Sequence, residues 1–241
     1  MPSSRREIIS TVVSLGCVGS FASITPVTFA RAPISAPSSP MILTRRQERS
    51  LRGGASIKVT RSWRLGFTSQ NDQISIAGGQ MDVSVEAPPS LASIATIERN
   101  RSTREMWPIL LSHNGRIISA GADVQERDFA SAVQAGGAII RSERGDLQSE
   151  EARLEYLGRL QNISASLMEN LPEDLFVPNG RPTFSRQNVD LPDGLKGEIE
   201  LVYNALPSPQ TGWLDRAERR VTTRIGTTEK YVLEEWTLSE A

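Results

Sequence analysis

The chain carries very few of the side chains on which most enzyme chemistry depends. Among 241 residues there is one cysteine, Cys17, and one histidine, His113. Cys17 falls in a predicted N-terminal leader, so the mature chain is expected to be cysteine-free, without disulfides, thiolate nucleophiles or cysteine-ligated metals. One histidine cannot form a multi-histidine metal site, and His113 precedes Asn114-Gly115, a pair typical of exposed turns. The sequence therefore predicts no cofactor and no metal.

Negative charge exceeds positive charge in the main part of the chain. The net charge is −1, but residues 55–241 carry 20 basic and 26 acidic residues, a balance of −6. A phosphate backbone requires a broad positive surface, so nucleic acid is not an expected partner. Nucleophile motifs such as Gly-x-Ser-x-Gly, phosphate-binding loops and calcium loops are missing as well. With 38% hydrophobic and 23% charged residues, the composition is that of a globular protein.

The N-terminus has the organisation of an export signal. Residues 4–10 read SRREIIS, with Arg5 and Arg6 followed by an apolar stretch diluted by glycine, serine and threonine. Pro26 interrupts this region, which predicts no transmembrane span in the mature form. Ala30 and Ala32 flank Arg31 in the small-x-small pattern of a signal-peptidase site.

Residues 4–10 resemble the twin-arginine translocation signal, as found on exported proteobacterial proteins of uncharacterised function. The resemblance implies a periplasmic or secreted protein whose partners include the export machinery and signal peptidase. Two alternatives stay open: Arg5 and Arg6 can serve as the positive end of a general secretory signal, and Cys17 can carry a lipid anchor.

A linker is predicted after the leader, over residues 33–54, before a single domain over residues 55–241. Residues 33–40 are rich in proline and serine, and the following segment contains Arg45, Arg46, Arg49 and Arg52. On a helical turn these arginines would lie near one side and could contact a membrane surface or an anionic polymer. A solvated entry segment is the preferred interpretation.

The domain is predicted to have an α+β fold, with an antiparallel sheet formed by strands from both ends and about three central helices covering it. Alternation predicts strands around residues 57–67, 74–76, 81–85, 199–203, 221–225 and 232–238. Gly78-Gly79 predicts a hairpin turn between two of them, and Asn114-Gly115 predicts a second hairpin. Helical stripes predict helices over about 91–105, 123–140 and 149–171.

The candidate functional residues are few. Four tryptophans fall on or beside predicted strands and are candidate ligand-binding residues, with core packing as the alternative: Trp63, Trp107, Trp213 and Trp236. Arginines at the end of the first helix, and Arg216, Arg220 and Arg224 on a strand, favour surface ion pairs over anion binding. The carboxylate pairs Glu150/Glu151, Glu173/Asp174 and Glu234/Glu235 favour solvated surface over catalysis.

These observations predict a non-catalytic binding or scaffolding module of the cell envelope, and no catalytic residue is assigned. An apolar small molecule or an envelope protein is the expected partner. The alternatives are a carboxylate-dependent hydrolase, with an acid buried beside an arginine, and an accessory subunit exported with an enzyme.

Overall fold

Nine strands form one antiparallel sheet. The computed structural model describes residues 34–51, 54–121, 157, 170–191 and 196–241. The strands are β1 (Met41–Ser50), β2 (Ser56–Gln70), β3 (Gln73–Glu86), β4 (Ile109–Leu111), β5 (Ile117–Ala120), β6 (Thr183–Asp190), β7 (Lys196–Pro207), β8 (Leu214–Ile225) and β9 (Thr228–Glu240). Their order is β5-β4-β3-β2-β1-β9-β8-β7-β6.

Two meanders meet at the centre of this sheet. Strands β1 to β5 follow one another on one side, and β6 to β9 follow one another on the other. The meanders join where β1 pairs with β9, with Leu43 opposite Leu238. The first and last strands are therefore neighbours, and Ala32–Ala241 forms one compact unit.

Alternation along each strand gives the sheet an apolar inner face and a polar outer face. On β8, Ala217 and Val221 are buried on the inner face, whereas Arg216, Arg220 and Arg224 occupy the outer face as the sequence predicts. The core packs on the inner face at one end of the strands, where Trp63, Leu65 and Trp236 are buried. Leu175, Phe176, Val177 and Trp213 from the connecting segments, with Leu214 at the start of β8, complete it.

The predicted turn at Gly78-Gly79 is wrong, because β3 runs without interruption through both glycines. The turn lies instead at Asn71 and Asp72, whose φ angles of 47° and 60° fit the two-residue loop between β2 and β3. Gly78 has another role: an added Cβ would lie 2.3 Å from Cε2 of Trp107. The glycine thus makes room for an indole ring against the strand.

The second predicted hairpin is confirmed. Strands β4 and β5 pair antiparallel around the turn at residues 112–115, with His113 exposed as expected. The Gly115 amide donates to the Ser112 carbonyl at 2.9 Å. Only Gly115 of this turn has a positive φ, of 82°, and the register shifts at Leu110/Leu111. These features fit a type I turn with a bulge and not the type I′ turn that Asn-Gly favours.

The first predicted helix is present but shorter than expected. Helix α1 spans Ala92–Asn100, with short 3-10 turns at Pro89–Leu91 and Arg104–Met106 on either side. The other two predicted helices, near 123–140 and 149–171, lie almost entirely outside the described residues. Among the described helices, none is long and apolar enough to cross a membrane.

The α+β prediction with about three central helices is wrong, since the described residues form one nine-stranded antiparallel sheet with one short α-helix. Two of the nine strands are polar, and their sequences gave no strand prediction. The basic segment predicted as a linker contains β1, at the centre of the sheet. Strand β6 has the sequence TFSRQNVD, which lacks a clear apolar alternation.

Candidate functional site

A carboxylate lies in the middle of the inner face with no exposure to solvent. The side chain of Glu234 is 0% exposed. Its Oε1 accepts hydrogen bonds from both Nε and Nη2 of Arg45, the former at 2.9 Å, and from Nε2 of Gln47 at 3.2 Å. Its Oε2 accepts from Nε and Nη2 of Arg219 at 2.9 and 2.6 Å. These four residues are called the Glu234 cluster below.

Strand register brings the Glu234 cluster together from three strands. Gln47 of β1 lies opposite Glu234 of β9, which lies opposite Arg219 of β8. Arg45 is two residues from Gln47 and so shares its face. Each charged residue stands where the alternation of its strand places a core residue, as Glu234 does between Val232 and Trp236.

Arg219 links the cluster to the rest of the inner face. Its Nη1 donates to the Asn170 carbonyl at 2.9 Å. Its guanidinium carbon lies 5.3 Å from the ring centroid of Trp236, a cation–π distance. The cluster therefore ties three central strands to the segment that precedes the core loop at residues 171–177.

Tyr203 of β7 continues the same row, opposite Arg219. Burial raises the pKa of its phenol, the nearby Asp174 carboxylate raises this pKa further, and Arg219 acts in the opposite direction. No described residue offers the hydroxyl a hydrogen bond of normal geometry, and the same holds for Nε1 of Trp236. Both groups keep the neighbourhood of the cluster polar without taking part in its ion pairs.

The geometry of the Glu234 cluster favours a role in stabilising the fold over a role in catalysis. A general acid or base needs a carboxylate oxygen that can exchange a proton with a substrate. Five N–H donors already occupy the two oxygens of Glu234. Buried charges require such pairing, because an unpaired buried charge costs several kcal/mol. Within the described ranges, no group of three or more His, Cys, Asp or Glu residues is placed to hold a metal ion.

The predicted tryptophan candidates are found in and around the core. Trp63, Trp213 and Trp236 are buried there, and Trp107 packs beside them, with its ring centroid 6.4 Å from that of Trp63. The indole of Trp213 donates to the Ser35 carbonyl at 3.1 Å. Core packing accounts for these positions, and a role in ligand binding stays a prediction.

The structure separates the other predicted candidates. Glu234 and Glu235 point to opposite faces, as adjacent strand residues must, and Glu235 pairs with Arg46 on the outer face. Glu173 forms an ion pair with Arg116. The pair Glu150/Glu151 and the leader residues Arg5, Arg6, Cys17, Ala30 and Ala32 lie outside the described residues.

Sequence reasoning missed the Glu234 cluster, although the strand pattern contains a signal for it. Arg219 is in phase with buried Ala217 and Val221, and Glu234 is in phase with Val232 and Trp236. An acid and a base at core positions of consecutive strands indicate a buried ion pair. Arg45 carried no such signal, because its segment was predicted to be a linker.

Comparison with known proteins adds little to this description. No protein-family model and no curated protein matches the chain. Among solved structures, a lipovitellin structure that concerns lipid–protein interactions is similar to this chain, with 10% sequence identity and a TM-score of 0.33. That match covers 84% of this chain and 25% of the lipovitellin chain. A likeness this distant bears on neither fold nor function.

Proposed function

We propose that this protein is a non-catalytic binding or scaffolding module of the cell envelope. The observation that carries the proposal is the occupancy of Glu234, the acid that is most deeply buried among the described residues. Arg45, Gln47 and Arg219 fill its hydrogen-bonding capacity, so it ties strands together and is not available for proton transfer. The twin-arginine resemblance of residues 4–10 supports the envelope location.

A carboxylate-dependent hydrolase is the alternative function for which the Glu234 cluster is most relevant. Such an enzyme was expected to bury an acid beside an arginine, and Glu234 has that environment. A catalytic acid or base, however, must approach a substrate to within hydrogen-bond reach. Because guanidinium groups bind both oxygens of Glu234, its environment favours a structural role over a catalytic one. An accessory subunit exported with an enzyme is compatible with a scaffolding module.

Turnover measurements test the non-catalytic proposal. Residues 32–241, incubated with chromogenic esters, glycosides and phosphate esters, should release no product above the buffer rate. The variants E234Q and E235Q provide a matched pair, since the two acids are adjacent but lie on opposite faces. Turnover that is retained in E235Q and lost in a folded E234Q protein would overturn the proposal in favour of a hydrolase.

Export of the full chain tests the location. A fusion to a reporter that is active only outside the cytoplasm should give signal, and R5K/R6K should abolish it because the twin-arginine route depends on that pair. Signal that survives R5K/R6K indicates the general secretory route. A fusion that gives no signal in either form contradicts the envelope location.

A further inference from the structure

Helix α1 exposes its largest apolar side chains and buries smaller or charged ones. Ile94 and Ile97 are 45% and 67% exposed, whereas Ala95 is 3% exposed. The partly buried Glu98 also faces the sheet, through its contact with Arg61 of β2. A surface helix normally places its apolar stripe against the core. This helix has the opposite arrangement.

The orientation is held by specific contacts at the C-terminal end of α1. Nη2 of Arg61 donates to the Glu98 carbonyl at 2.5 Å and to Glu98 Oε2 at 3.2 Å. Just beyond the helix, the Thr103 hydroxyl accepts from Nε1 of Trp63 and donates to Oε1 of Gln80, both at 2.9 Å. Successive residues are about 100° apart around a helix, so a rotation by one position would turn Ile94 and Ile97 toward the sheet. The anchors prevent that rotation.

Exposed arginines accompany the two isoleucines. Arg99, Arg101 and Arg104 follow Ile97 within seven residues, and all three are exposed. Glu98 pairs with Arg61 and, at 3.7 Å, also with the exposed Arg101, and Glu105 is the other acid of this segment. Residues 55–241 carry a net charge of −6, whereas residues 91–106 carry three arginines and two glutamates, a net charge of +1.

We propose that α1 docks the protein on an anionic phospholipid bilayer. Ile94 and Ile97 enter the headgroup region, while Arg99, Arg101 and Arg104 contact lipid phosphates. The proposal names the partner surface of the binding module and so rests on the proposed function. A bilayer fits this patch better than a protein does. Nine residues of helix span only about 14 Å, whereas a stable protein interface needs about 800 Å² on each partner.

Vesicle co-sedimentation of residues 32–241 tests the proposal. The protein should bind phosphatidylglycerol vesicles and not phosphatidylcholine vesicles, and raised salt should release it. The variant I94S/I97S should bind about tenfold or more weakly, because two apolar side chains no longer enter the bilayer. Each Arg-to-Gln change at Arg99, Arg101 or Arg104 should weaken binding about fivefold.

The matched control is I118S, since Ile118 is 52% exposed on β5 and outside α1. This variant should bind as the unmodified protein does. Equal binding by I94S/I97S and the unmodified protein overturns the proposal, and so does equal binding to both vesicle types. All of these substitutions are at exposed positions, and circular dichroism spectra check that each variant folds.

Two further outcomes separate this proposal from the one on which it rests. A dimer in solution that I94S/I97S dissociates, without vesicle binding, would make α1 a self-association surface and overturn the bilayer assignment alone. Turnover of chromogenic esters, glycosides or phosphate esters would overturn the non-catalytic function, whatever the vesicle result.

Discussion

At the scale of single residues, the carboxylate of Glu234 has the strictest requirements, because it has no contact with water. Two guanidinium groups and an amide donate hydrogen bonds to both of its oxygens. The register of β1 and β8 against β9 places these three donors directly beside the carboxylate. A buried ion pair adds little net stability over an apolar replacement, but removal of one partner is costly. The contribution of this ion pair is therefore best measured by replacing Glu234 alone while Arg45 and Arg219 are kept.

We expect E234Q to lower the free energy of unfolding by about 3–5 kcal/mol, because the guanidinium groups of Arg45 and Arg219 would lose the charged acceptor that they now share. Urea unfolding of residues 32–241 measures the change. E235Q is the control and should cost less than about 1 kcal/mol, since Glu235 pairs with Arg46 on the exposed face. The triple variant R45M/R219M/E234L should recover most of the lost stability. Loss in the triple variant as large as in E234Q would contradict this account.

The contact of Gly78 with Trp107 gives a second prediction at this scale. An alanine Cβ at Gly78 would lie 2.3–2.6 Å from three atoms of the indole, so the ring must shift. We expect G78A to cost about 1–3 kcal/mol, the usual range for overpacking, as measured by urea unfolding. G79A is the neighbouring control, with no atom within 4 Å of the added Cβ, and should be close to neutral. Equal effects of the two substitutions would exclude the packing explanation.

At the scale of elements, β6, β7 and β8 are joined on the outer face by a network of ion pairs. Nη2 of Arg186 donates to Glu200 Oε2 at 2.5 Å, and Nη1 of Arg224 donates to Glu198 Oε1 at 2.9 Å. The hydrogen bond from Arg186 lowers the pKa of Glu200, and the charges of Arg224 and Arg186 add to this, against the effect of desolvation. Hydrogen bonds to Glu229 and Glu198 raise the pKa of Arg224. The network stabilises the pairing of the polar strand β6.

The lowered pKa of Glu200 predicts a dependence on pH. A carboxyl whose pKa is lower in the folded state stabilises the fold above its ordinary pKa of 4.5. That contribution is lost as the pH falls through the lowered value. E200Q should therefore be less stable than the unmodified protein at pH 7, by up to about 1 kcal/mol for an exposed pair. Urea unfolding at pH 3 should show a smaller difference, and a difference that grows on acidification would refute the argument.

The pattern of single elements was only partly predictable. The outward position of Arg216, Arg220 and Arg224, the hairpin at residues 109–120 and helix α1 followed from local periodicity. The Gly78-Gly79 turn was wrong because two glycines in a strand have the same local signature as a turn. The tertiary fold places the ring of Trp107 against Gly78, where a side chain would collide with it, and this contact explains why a glycine lies within the strand.

At the scale of the whole molecule, the N-terminal and C-terminal strands meet at the centre of the sheet. Strand β1 supplies Leu43 to the core and Arg45 to the Glu234 cluster, and it pairs along its length with β2 and β9. Because β1 is polar in composition, its sequence gave no indication of a central strand.

We therefore expect a fragment of residues 55–241 to lose cooperative unfolding. Without β1, strands β2 and β9 have unpaired edges in the middle of the sheet, and Glu234 loses two of its partners. Circular dichroism during urea titration compares this fragment with residues 32–241, which form the compact unit. A fragment that unfolds cooperatively at an unchanged midpoint would place the domain boundary at residue 55, as the sequence alone predicts.

The sequence by itself determined which side chains are missing, that the chain is rich in antiparallel strands and which residues of each strand share a face. These properties are local, since they follow from composition and from the two-residue period of a strand. The tertiary structure decided the strand order, the central position of β1, the burial of the Glu234 cluster and the exposure of Ile94 and Ile97. Each of these depends on contacts between residues far apart in the chain, such as Arg45 with Glu234 and Arg61 with Glu98. No local pattern contains the pairing register that creates them.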